Sequence, residues 1–147
     1  MMQYKMIVFS SLLFCTTLYA QNKKNTEPVK YDVIVSFGSM CCGTASDDFL
    51  KKYIKNYNCK NKDTVNGWLL DGCGREGEYK ILFSFSHLKD TKKRPLIDEL
   101  KMLIDEQNKK NKAVNASSGS ISFTYDLPLA NFEYCRGELT EWNKKIK

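Results

Sequence analysis

The spacing of apolar residues in this chain switches repeatedly between two periods, and that alternation restricts the fold more than any other feature. In "YDVIVSFG", Tyr31, Val33, Val35 and Phe37 recur at every second residue, the period of a β-strand. Ile34 adds apolar character to the other face, as an interior strand requires. Phe49, Leu50, Tyr53, Ile54 and Tyr57 then recur at helical spacing, with Lys51, Lys52 and Lys55 turned away. Thr44 or Ser46 can cap this helix, Asp47 and Asp48 favour the positive end of its dipole, and its expected end is near Asn58.

After the aperiodic "NKDTVNG" the two-residue period returns. Trp68–Leu70 form a short strand, Gly72, Gly74 and Gly77 punctuate a turn, and Tyr79, Ile81, Phe83 and Phe85 alternate in the next strand. A second helix carries Leu96, Ile97, Leu100, Leu103 and Ile104 on one face, with Pro95 in its first turn and its end before "NKKNK". Ile121, Phe123 and Tyr125 alternate in a fourth strand that Pro128 closes.

The order is strand, helix, strand, strand, helix, strand. Two helices covering one face of an antiparallel sheet satisfy that order most simply, as a ferredoxin-like βαββαβ sandwich of the α+β class with spatial strand order 4-1-3-2. "NFEYCRG" is expected to return as an extra C-terminal edge strand, and Leu139, Trp142 and Ile146 to form a short terminal helix. Residues 31–147 are thus expected to be a single α+β domain.

Residues 1–20, "MMQYKMIVFSSLLFCTTLYA", read as a signal peptide. Lys5 supplies the positive start, Met6–Phe14 a short apolar run, and Leu18-Tyr19-Ala20 the cleavage site. Phe14 before Cys15 is too large for a lipoprotein site. Residues 21–30 are polar and read as a flexible leader. The expected product is secreted or periplasmic, with no membrane span, since no second apolar stretch reaches spanning length. Loss of Lys5 takes the formal charge from +6 to +5, and the lysines are scattered over helix backs and loops. Scattered charge of this kind is a solvated face, so no nucleic-acid partner is expected.

Export makes disulfides the expected state of the cysteines that remain, Cys41, Cys42, Cys59, Cys73 and Cys135. With the first strand rising, Cys41 and Cys42 sit in the loop at its upper end. A thirteen-residue helix then descends about 20 Å, at about 1.5 Å per residue, and carries Cys59 to the other end. The following strands return Cys73 and Cys135 to the upper end. Cys41, Cys42, Cys73 and Cys135 are therefore the disulfide candidates, one of the adjacent pair reaching toward Cys73 and the other toward Cys135. Cys59 is the expected unpaired thiol. A bridge between Cys41 and Cys42 themselves would close a small strained ring.

The same four sulfurs, Cys41, Cys42, Cys73 and Cys135, could instead hold zinc or copper(I) as a tetrahedral thiolate site. Heavy-metal-binding domains of ferredoxin-like topology carry a C-x-x-C pair in this loop, whereas here the pair is adjacent. A redox enzyme would want C-x-x-C or a partnering cation, and His87 falls at the wrong end to pair with these thiols. "GSMCCGTAS" lacks the lysine of a phosphate loop, "DGCGREGE" lacks the spacing of a calcium loop, and "NAS" at Asn115 is ordinary loop chemistry. The sequence thus reads as an exported, disulfide-stabilised binding or interaction module for a protein or small ligand, with no catalysis and no cofactor expected. The alternative is a soft-metal-binding or thiol-active protein using Cys41 and Cys42.

Overall fold

The computed structural model describes residues 30–41, 43–61, 64–114 and 119–142. The expected signal peptide, nearly all of the leader, Cys42, Asn115 and Ile146 lie outside the described residues. The elements follow in the order β1 (Lys30–Gly38), α1 (Asp48–Lys60), β2 (Gly67–Leu70), β3 (Tyr79–Phe83), α2 (Asp90–Val114), β4 (Ser120–Pro128) and β5 (Leu139–Glu141), with a 3-10 turn at Leu129–Phe132. The strands make one antiparallel sheet in the order β4-β1-β3-β2-β5. The architecture is mixed α+β.

β1 lies between β3 and β4, so both of its edges are hydrogen-bonded, and Val35 stands opposite Ile81 on one side and Phe123 on the other. This interior place explains why β1 is apolar on both faces. Leu50 and Ile54 of α1 and Leu96, Leu100 and Ile104 of α2 are buried in one core with Val33, Val35, Phe37, Ile81, Phe83 and Ile121. Side chains three or four residues apart share a helix face, so each helix presents one such row to the sheet. Each of these apolar side chains contributes about 1.5–3 kcal/mol by leaving water. The Tyr53 hydroxyl donates to Glu99 at 2.5 Å and so joins the two helices.

Three local readings of the sequence are corrected. α2 begins five residues before Pro95 and runs through "NKKNK" to Val114. Asn108 holds this extension to β4, its amide donating to Ile121 O at 2.7 Å and accepting Ile121 N–H at 3.1 Å. Tyr31 does not join Val33 on the helix side but packs with Ile34 and Leu82 on the opposite face. The ladder explains this: Tyr31 pairs with Leu127 and Val33 with Tyr125, leaving Asp32 opposite Asp126, whose φ of 59° breaks the regular pleat. The sheet side then changes by one residue, and Asp32 turns toward α2 to pair with Lys93.

The third correction concerns the C-terminal segment. Residues 131–137 form no strand: they complete the 3-10 turn and a further turn, and the edge strand is Leu139–Glu141, where a helix was expected. β5 pairs with β2, Leu139 opposite Leu70 and Glu141 opposite Trp68. The chain leaving β4 therefore crosses to the far edge of the sheet instead of pairing beside β4. Phe132 shows its path, buried against Ile34, Leu70 and Leu82 on the face away from the helices. At the end of β5 the Trp142 indole donates to Asp47 at 2.6 Å, fastening the strand to the start of α1.

Candidate functional site

The crossing segment builds the most distinctive surface of the molecule. In a two-layer sandwich the sheet face away from the helices is open to water. Here Ile34, Leu82 and Trp68 are apolar on that face and need cover. Phe132 supplies it, and Tyr31 stacks edge-on to Trp68 with centroids 5.8 Å apart. Burial pushes the Tyr31 phenol pKa up from its usual value.

A disulfide between Cys73 and Cys135 locks the segment in place. Beside it, Arg136 N–H donates to Gly72 O at 3.1 Å and Gly137 N–H to Asp71 O at 3.2 Å. Both bridged cysteines are partly buried against the outer apolar cluster. The sequence placed both at the end of the sheet where β1 finishes, with one of the Cys41–Cys42 pair able to reach toward each, and left the connectivity open. The crossover brings Cys135 to the β2 edge, directly beside Cys73, so the bridge joins two of the four candidates to each other. Cys41 is exposed in the loop after β1, and Cys42 lies outside the described residues. Cys59 is exposed in the last turn of α1. Asn58 next to it brackets Val65 N–H and C=O at 2.8 and 2.9 Å, at the opposite end of the sheet from Cys73. Among the described residues no group of three or more His, Cys, Asp or Glu side chains is placed to hold a metal ion. A site using all four sulfurs would require the Cys73–Cys135 bridge to be reduced.

Lys80 was not singled out by the sequence reading, and it is the buried charged residue among the described ones, at 9% exposure. It projects from β3 between Tyr79 and Ile81, which belong to the helix-side core, so it lies on the outer face. Its ammonium donates to Ser36 Oγ at 2.9 Å. The rings of Phe132 and Tyr134 stand 5.0 and 5.6 Å from it, within the range at which an aromatic face attracts a cation. The signal was present in "YKILF": one lysine inside an otherwise apolar strand must either find polar company or leave the sheet.

A concavity of about 340 Å³ lies between α2 and the ends of β1 and β4, lined in part by Asp32, Lys93, Ile97, Asp98, Lys101 and Tyr125. Three of its charges are already paired. Asp32 pairs with Lys93 and also accepts Phe85 N–H, and Asp126 pairs with Lys30 at 2.8 Å. The outer face, with its bridged cover and its buried cation, is the stronger candidate for recognition. Comparison with protein-family models, with curated proteins and with solved structures finds no match to this chain.

Proposed function

We propose that this chain is an exported, disulfide-stabilised binding or interaction module that works without catalysis and meets a protein or small ligand on the outer face of its sheet. The observation that carries this reading is the Cys73–Cys135 bridge, which fastens the crossing segment over that face. A structural disulfide fits an oxidising compartment, secreted or periplasmic, and agrees with the signal-like residues 1–20. The order 4-1-3-2 of the first four strands supports a ferredoxin-like description, with β5 appended beyond β2. Lysines on the backs of both helices, interspersed with Asp98, Glu99, Asp105 and Glu106, favour solvation over a nucleic-acid partner.

The test is a non-reducing peptide map and thiol count on protein recovered from an exporting host. The expected result is a cross-linked peptide pair containing Cys73 and Cys135, with no more than three thiols in the unreduced chain. Five thiols with bound zinc or copper(I) would overturn the reading and favour the soft-metal or thiol-active alternative. Exposure of Cys41 in the loop after β1 is what keeps that alternative in view.

A further inference from the structure

The outer face holds a charge that no carboxylate balances among the described residues. In the sheet register Ser122 stands opposite Ser36, and Ser36 opposite Lys80, so one ammonium and two hydroxyls form a single row across β4, β1 and β3. Directly opposed side chains in such a ladder have Cβ atoms about 4.5–5.5 Å apart, within reach of one small ligand. A lysine ammonium has three hydrogen-bond donors. Among the described residues Lys80 uses one of them, on Ser36, and no carboxylate lies within ion-pair distance. A buried cation without a counter-ion is costly, and two aromatic faces offset that cost only in part.

Among the described residues the row is open from one side. Phe132 and the disulfide cover the β3–β2 half of the face, while Ser36 is half-buried and Ser122 is exposed. Tyr134 stands at the rim, 59% exposed, with its ring still near the ammonium. A ligand entering over Ser122 would meet hydroxyl donors first, then the ammonium, with an aromatic surface alongside.

We propose, building on the binding-module reading, that Lys80, Ser36 and Ser122 receive the carboxylate of a small organic acid, with Tyr134 flanking its carbon body. One positive charge and two hydroxyls match a single negative charge. A phosphate dianion would call for a second cation, and the row has none.

The test is a nuclear magnetic resonance titration of the full, oxidised chain carrying isotope-labelled lysine, with sodium acetate or benzoate as probe at constant ionic strength. The ε-methylene signal of Lys80, assigned by its loss in Lys80→Met, is expected to shift saturably while surface lysines do not. Ser36→Ala should weaken the binding on the order of tenfold, the worth of one hydrogen bond to a charged group. If the Lys80 signal in the unsubstituted protein moves no more than those of surface lysines, the proposal is overturned without recourse to any variant. Saturation by inorganic phosphate but not by carboxylates would overturn it equally. Either failure would leave the thiol count, and with it the export and disulfide reading, untouched.

Discussion

Removing the Cys73–Cys135 bridge should cost more stability than any other pair of substitutions on the outer face. The perturbation is the double variant Cys73→Ala/Cys135→Ala, which leaves no stray thiol to pair with Cys59. The two cysteines are 62 residues apart in sequence, and closing a loop of that length in the unfolded chain removes conformational freedom worth about 4 kcal/mol in the chain-entropy model. Both sulfurs are also partly buried against the outer apolar cluster, so their loss removes packing in the same direction. Against the roughly 5–15 kcal/mol that holds a typical domain folded, this is a large share.

The assay is equilibrium unfolding in urea. With a slope of about 2 kcal/mol per molar for a chain of this size, the midpoint should fall by about 2 M. The reduced, unsubstituted protein should unfold with the double variant, because both lack the same constraint. Cys59→Ser provides the control. Its side chain is exposed at the other end of the sheet, and its midpoint should stay close to that of the parent. A loss below about 1 kcal/mol in the double variant would refute the reasoning, since the crossing segment would then be held by Phe132 and the Gly72 and Asp71 hydrogen bonds alone.

Asp47→Ala should destabilise by about 1.5–3 kcal/mol, measured by urea unfolding, because Asp47 accepts the Trp142 indole N–H and pairs with Lys51 at 2.7 Å. Gly67→Ala should cost about 1–3 kcal/mol and alter tryptophan fluorescence, since an added Cβ would stand 2.8 Å from the Trp142 ring and 2.9 Å from that of Phe83. Stability should fall as pH rises above about 10: the phenol pKa values of Tyr53 and Tyr79 are pushed up mainly by burial, Tyr53 also by Glu99 and Tyr79 by Asp47 and Asp48, so the unfolded chain releases its protons first. Tyrosinate absorbance that develops in full before unfolding would contradict this. Exported protein should begin at Gln21, and an intact mass that retains residues 1–20 would count against the signal-peptide reading.

The helix-side core was legible because burial there follows simple periods. Leu50 and Ile54, Leu96, Leu100 and Ile104, and Val33, Val35 and Phe37 are spaced as one helix face or one strand face demands, and all are buried together. The outer face was legible only in part, because a period shows which residues need cover without showing what covers them. Ile34 announced a second apolar face, and Leu82 and Trp68 share it. Phe132 covers them, and it lies in "NFEYCRG", whose alternation imitates an edge strand. Had that segment been laid across the sheet instead of beside β4, Cys135 would have arrived at Cys73, and the pairing would have followed. Two further features left weaker traces. The change of side at Asp32 comes from the unusual backbone of Asp126, a residue distant in sequence, so nothing local to β1 reports it. The extension of α2 past "NKKNK" rests on Asn108 reaching β4, a tertiary contact that overrides a polar composition resembling a loop. Lys80 belongs between these cases. Its place in an apolar strand was visible, but its meaning depends on Ser36 and Phe132, which the sheet register and the crossover bring to it from either side of the sequence.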